Sequence, residues 1–212
     1  MIDNLDSIDF SKSEDGLIPA IIQDNATLQV LMLGYMNKEA IEETLVSKKV
    51  TFYSRSKARL WVKGETSENY LLLEDIFIDC DNDTILVMAT PCGPTCHTGS
   101  ISCFTSQKTP GLSHLGLLDK VIQDRIRNPS ESSYTHKLIS RGLNKVAQKV
   151  GEEAVEVVIA ALAESREEYL GEMTDLLYHS LILLHAQGMS LDDVADVIAR
   201  RHQEKTDKKP SH

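Results

Sequence analysis

The chain has 212 residues and a formal net charge of −10, with 42% hydrophobic and 25% charged residues. That length admits one large domain or two of about 100 residues, and the apolar content excludes a disordered chain. The acidic excess excludes a broad nucleic-acid surface, because phosphate backbones require a basic face. It leaves room for a small phosphorylated substrate held through Mg²⁺.

No apolar run is long enough to span a bilayer. The start, "MIDNLDSIDF", lacks the basic beginning and apolar core of a signal peptide. The expectation is a cytoplasmic protein with no membrane or nucleic-acid partner. In a reducing compartment, clustered cysteines serve more often as metal ligands or nucleophiles than as disulfides.

From the N-terminus, "LIPAIIQD" and "TLQVLMLGYM" read as strands separated by the turn residues Asp24 and Asn25. "NKEAIEETLVSK" has helical spacing, with Asn37 as N-cap. "VTFYSR", "LWVKG", "YLLLEDIFIDCD" and "TILVMATP" follow as strands. Beyond Gly116 the period changes to three and four residues in "GLLDKVIQDRI", "YTHKLIS", "LNKVAQKVGEEAVEVVIAALAE", "REEYLGEMTDLLYHSLILLHAQ" and "LDDVADVIARRHQ". Ser190 and Asp193 suggest a capping box for the last helix. Between the halves, "TSQKTPGLSHLG" is rich in turn formers, so the boundary is placed near Pro110. The expected fold is therefore two domains: 1–109, α+β and mostly strand, and 110–212, an all-α bundle.

The stretch "DCDNDTILVMATPCGPTCHTGSISC" holds all four cysteines together with Asp79, Asp81 and Asp83. In an extended segment the aspartates would share one face, with Cys80 on the other. Their mutual repulsion calls for a hard cation such as Mg²⁺; a solvated acidic turn is the competing reading. An EF-hand is excluded, because Thr84 and Thr90 stand where its glycine and glutamate belong. Cys80, Cys92, Cys96 and Cys103 suit Zn²⁺: four thiolates would close a structural site, whereas three would leave a position for a reactive water.

"VTFYSRSKARLWVKGETSEN", "DCDNDTILV" and "GPTCHTGSISCF" together resemble phosphoribosyl-AMP cyclohydrolase, over about residues 15 to 107. The resemblance implies a homodimer with zinc held by thiolates of both subunits, at Cys80, Cys96 and Cys103, and Mg²⁺ at Asp79, Asp81 and Asp83. Cys92 falls outside that pattern and is taken as a bystander. Glu68 stands where the family motif has glycine. The implied reaction is attack by zinc-activated water on C6 of an N1-ribosylated adenine; His97, adjacent to a zinc ligand, is a candidate proton acceptor or a hydrogen-bonding support for that ligand. Ser54, Arg55, Ser56 and Lys63 are candidate phosphate contacts by charge and hydroxyl chemistry. Trp61 is a candidate base-stacking residue or a core residue.

In the helical half, Glu152, Glu153 and Glu156 share one helical face, and Glu172 and Asp175 repeat the three-residue spacing on the next helix. Packed antiparallel, the two helices would form an oxygen-rich cage for Mg²⁺. Glu164, Glu167 and Glu168 are read as solvated surface. "SYTHKL", "KVGEEAVEVVIAA" and "DLLYH" resemble phosphoribosyl-ATP pyrophosphohydrolase, over about residues 115 to 203. That resemblance implies Mg²⁺-dependent release of pyrophosphate, with Glu153 and Glu156 as catalytic carboxylates; Lys145 and Lys149, on helical spacing just before them, read as phosphate contacts or as a solvated basic stripe. His136 departs from the small residue expected after "SYT" and takes no role.

The combined expectation is a bifunctional, ATP-type nucleotide-binding hydrolase of histidine biosynthesis, dependent on zinc and magnesium. Two rivals stay open at this level. One is a structural zinc module joined to a helical dimerisation domain. The other is a house-cleaning nucleotide pyrophosphohydrolase whose first half has another task.

Overall fold

Alternation of apolar residues organises the first strand. Ile18, Ala20 and Ile22 point inward from Ile18–Asp24 (β1), and Asp24 ends it by accepting from the Ala26 amide and the Thr27 hydroxyl. The resulting turn returns the chain along Val30–Met36 (β2), antiparallel to β1. This computed structural model describes residues 7–104 and 111–206, with the side chains of 205 and 206 left aside. The expected boundary at 109/110 lies outside the described residues. The chain divides into two compact units, Met1–His114 and Leu115–His212.

In the first unit, Lys38–Ser47 (α1) starts where Asn37 accepts from the Ala40 amide at 2.9 Å, satisfying an otherwise unpaired first-turn N–H. Thr51–Ser54 (β3) and Arg59–Val62 (β4) form a hairpin sheet of their own. Leu71–Ile78 (β5) and Ile85–Pro91 (β6) complete a four-stranded sheet of order β2-β1-β6-β5. Its pairs are antiparallel except β1 with β6, which run parallel. Ile18, Ile22, Leu31, Met36, Ile41, Phe52, Leu71, Ile85 and Val87 form its core.

This topology separates the cysteines. The β5–β6 turn carries Cys80 at the end where Ile78 pairs with Ile85. The segment after β6 carries Cys92, Cys96 and Cys103 and leaves from the opposite end, where Pro91 pairs with Leu71. The Cys103 amide then bonds the Leu31 carbonyl, and the Ser102 hydroxyl bonds the Val30 carbonyl, at that same end of β2. The seven residues of β6 put about 20 Å between Cys80 and this segment.

The aspartate segment is not extended, as the sequence suggested. β5 ends at Ile78, and Asp79–Thr84 form a tight turn with Asn82 at φ +64°. The Asp79 carboxylate itself closes this turn by accepting from the Asp83 and Thr84 amides.

The second unit is helical: Ser113–Arg127 (α2, beginning in the last residues of the first unit), Tyr134–Ser140 (α3), Leu143–Ala163 (α4), Arg166–Ala186 (α5) and Leu191–Thr206 (α6). Ile122, Leu138, Val146, Leu181 and Ile182 make its core. Only Glu164 and Ser165 separate α4 from α5, which forces the two helices antiparallel. Ser165 and Glu168 form a full capping box there, so Glu168 is a cap rather than idle surface. The S-x-x-E signal was present in the sequence. At α6, Ser190 donates from its amide and hydroxyl to the Asp193 carboxylate.

Candidate functional sites

Each unit presents its own site. In the first, a cavity of about 450 Å³ is lined by Trp61, Lys63, Gly64, Asn69, Thr95, Cys96, His97 and Cys103, among others. β4 delivers Trp61, stacked on Phe52 with ring centroids 5.6 Å apart, so that one face packs on the core and the side chain still borders the cavity. Lys63 follows directly, nearly fully buried. Burial pulls its ammonium below the usual lysine range, and the neighbouring Cys103 and Cys96 thiols oppose that pull.

Cys96 and Cys103 lie beside each other. The Thr98 hydroxyl, donating to Cys96 Sγ at 3.1 Å, leads the influences that lower the Cys96 thiol, with the Thr98 amide, Cys103 and the His97 amide adding to it. Burial, then Cys96, raises Cys103. One thiol of the pair is thereby primed to become thiolate before the other, as suits ligands for a soft cation. His97 is exposed, with Nδ1 3.8 Å from Cys96 Sγ. Cys92 and Cys80 are exposed, and Cys80 joins no cluster of three potential ligands within its own chain among the described residues.

Asp79, Asp81 and Asp83 bring carboxylate oxygens within 4.8 Å of one another. Lys12 supplies a counter-charge: its Nζ lies 2.8 Å from Asp81 and 3.4 Å from Asp83. Of the remaining sequence candidates, Ser54 and Ser56 sit 3.4 Å apart at the β3–β4 turn, and Arg55 stacks over the Tyr35 ring at 4.0 Å. None of these three borders the cavity. Glu68 adopts φ +60°, the left-handed conformation a glycine would take without strain. Gly64, at φ +92°, holds the loop tight against the Asn69 and Tyr70 backbone.

In the helical unit, antiparallel packing sets Glu172 of α5 opposite Glu156 of α4. Glu153, Glu156 and Glu172 place one oxygen each within 4.8 Å of the others. Glu153 is buried beside Lys149 (2.6 Å) and His179 (3.5 Å). Burial pushes its carboxyl up, but Lys149, Glu156 and His179 together outweigh it, and the group ends below the usual range. Glu156 moves the other way, raised first by its hydrogen bond to Glu153, then by desolvation and the Glu153 and Glu172 charges. A cation entering between them would relieve that repulsion. Glu152 turns toward Gln148 and Lys149 instead, Lys145 bonds Gln148, and the Asp175 carboxylate stays outside the trio.

Two residues that spacing did not single out complete this site. His179 Nδ1 donates to the Asp175 carbonyl at 2.9 Å, and its Nε2 lies 3.0 Å from the Tyr134 hydroxyl. "SYT" and "DLLYH" contained both residues, but only the fold brings them together.

The family model for phosphoribosyl-AMP cyclohydrolase matches residues 32–105, and that for phosphoribosyl-ATP pyrophosphohydrolase matches residues 115–202. Curated relatives named histidine biosynthesis bifunctional protein HisIE align along nearly the whole chain. The Photobacterium profundum protein is 52% identical over 193 residues, covering 89% of this chain and 93% of the relative. The Vibrio cholerae protein is 49% identical over 200 residues (93% and 95%), and a Staphylococcus aureus protein is 49% identical over 198 residues (93% and 91%).

Proposed function

The chain belongs to the family of bifunctional histidine-biosynthesis proteins that join a phosphoribosyl-AMP cyclohydrolase to a phosphoribosyl-ATP pyrophosphohydrolase, and on that premise we propose how its own residues carry the two reactions. The helical unit hydrolyses phosphoribosyl-ATP to phosphoribosyl-AMP and pyrophosphate. The strand-rich unit adds water across the N1–C6 bond of phosphoribosyl-AMP and so opens the adenine ring.

For ring opening, Cys96 and Cys103 hold a zinc ion together with Cys80 of a second copy. The single observation that carries this is the separation of Cys80 from the other two by the length of β6, alongside the pairing of Cys96 with Cys103. Bound there, zinc would supply a water acidic enough to act as a nucleophile near neutral pH. His97 accepts a proton at the cavity mouth, Lys63 provides the buried cation, and Trp61 offers an aromatic face to the base. Asp79, Asp81 and Asp83 would take Mg²⁺, beside Lys12, which offsets part of their charge. Ser54, Arg55 and Ser56 contact phosphate only if a second copy closes over the β3–β4 turn.

For pyrophosphate release, Glu153, Glu156 and Glu172 would hold Mg²⁺, whose charge would offset that of the polyphosphate. Glu152 and Asp175 flank this trio. Lys149 leaves Glu153 for a phosphate oxygen on binding, and Lys145 lies one turn away on the same helix face. The protein works as a cytoplasmic homodimer. Val155, Val158, Ile159, Leu162, Leu170 and Leu177 leave an apolar face of α4 and α5 exposed, which a second copy would cover.

Glu153→Gln in the full-length protein tests the division of labour. It should cut pyrophosphate release from phosphoribosyl-ATP by more than about 100-fold and leave ring opening of added phosphoribosyl-AMP unchanged. Loss of both steps in a folded protein would refute the assignment to separate units.

A further inference from the structure

One polar group in the cyclohydrolase cavity has no task in the scheme above. Thr95 is only 3% exposed and lines the cavity, and its Oγ1 has no hydrogen-bond partner among the described residues. The other hydroxyls of the same segment have partners within the chain. Thr98 donates to Cys96 Sγ and pairs with Ser100, and Ser102 donates to the Val30 and Leu31 carbonyls. Buried hydroxyls in folded proteins are almost always paired, because leaving one unpaired forfeits its hydration with nothing in return. A hydroxyl that stays unpaired at the wall of a ligand-sized cavity is satisfied by what fills that cavity.

We propose that Thr95 is a further substrate-contacting residue of the ring-opening site, its hydroxyl forming a hydrogen bond to a neutral polar group of the bound phosphoribosyl nucleotide. The inference rests on the reading that this cavity is where phosphoribosyl-AMP is opened. A neutral partner is assigned because the cavity already has a buried cation in Lys63 for the substrate's anionic part. Position favours the role: Thr95 follows Pro94 and precedes the zinc-binding Cys96, and its β-branched side chain is stiff at χ1. The hydroxyl is thus fixed before substrate arrives. A site built this way discriminates against analogues that cannot complete the bond.

The test uses the full-length, zinc-loaded protein with Thr95→Val, which keeps the shape and removes the hydroxyl, and Thr95→Ser, which keeps the hydroxyl. Steady-state ring opening of phosphoribosyl-AMP, zinc per chain, the urea midpoint and pyrophosphate release from phosphoribosyl-ATP are measured on each. Thr95→Val should lose about 10- to 100-fold in kcat/KM, with Thr95→Ser within a few-fold of the parent. Zinc content and pyrophosphate release should be unchanged, and the urea midpoint of Thr95→Val equal or higher, since no internal bond is broken. A Thr95→Val protein within twofold of the parent overturns the proposal. So does a fall in its midpoint or zinc content that accounts for the lost activity, or a folded Thr95→Ser no better than Thr95→Val. Should the parent protein itself fail to open phosphoribosyl-AMP, it is the cyclohydrolase assignment that fails instead.

Discussion

Substituting Gly64 by alanine should damage the ring-opening unit selectively. Gly64 sits at φ +92°, and a Cβ there would lie 2.6 Å from the Asn69 carbonyl carbon and oxygen and 2.7 Å from the Tyr70 nitrogen. These are backbone atoms, held by the Glu68-to-Gly64 hydrogen bond and by the Tyr70 carbonyl accepting from Cys92, so they yield only if the loop moves. The left-handed conformation costs an alanine about 1–2 kcal/mol, and overlap in a packed site adds about 1–3 kcal/mol. Together they take about 2–5 kcal/mol from a domain whose total stability is typically about 5–15 kcal/mol. The chain's single tryptophan, Trp61, stands three residues away and reports on this unit alone. Urea unfolding followed by its fluorescence should show the midpoint fall by about 1–2.5 M at a slope of about 2 kcal/mol/M. Because Gly64 and Asn69 border the cavity, ring opening should fall as well, while pyrophosphate release stays at the parental rate. A midpoint within about 0.3 M of the parent would mean that the loop relaxes freely and that the close approach does not shape the cavity.

Cys92→Ser should retain zinc and ring-opening activity, whereas Cys96→Ser loses both; equal losses would favour a closed four-thiolate site without an open position for water. Ser165→Ala removes the capping box at the start of α5 and should cost the helical unit about 0.5–2 kcal/mol, read as a lower thermal midpoint by circular dichroism at 222 nm. An unshifted midpoint there would show that packing alone fixes the α4–α5 turn.

Most of the architecture is legible from periodicity. The two-residue alternation of β1 and the three- and four-residue spacing of α4 and α5 each encode which face is buried, and the α3 and α4 starts fall where that spacing places them. What periodicity does not encode is where a strand yields to a turn. "IFIDCD" alternates like a strand, yet the Asp79 carboxylate competes successfully for the Asp83 and Thr84 amides and closes a turn. Long-range pairing is equally hidden. Tyr134 meets His179 only because α3 packs on α5, and Lys12 meets Asp81 across 69 positions of sequence. The helical carboxylates were easier to find, since i, i+3 spacing on two antiparallel helices nearly dictates their convergence. Even there, the geometry separates Glu153, Glu156 and Glu172 from Glu152 and Asp175, a distinction spacing alone does not make. Thr95 carried no signal in the sequence, because its lack of a partner is a property of the folded cavity.

Sharing of one zinc ion between two copies is best tested by subunit complementation. Cys80→Ser and Cys96→Ser chains, carrying different tags, are co-expressed and the mixed dimer population assayed for ring opening. Each homodimer alone should be inactive, while a heterodimer regains one complete site from Cys96 and Cys103 of one chain and Cys80 of the other. Random assortment then predicts recovery of about one quarter of parental activity, half the dimers having one of two sites intact. No recovery from well-folded, mixed dimers would place all three thiolates in a single chain and contradict the account.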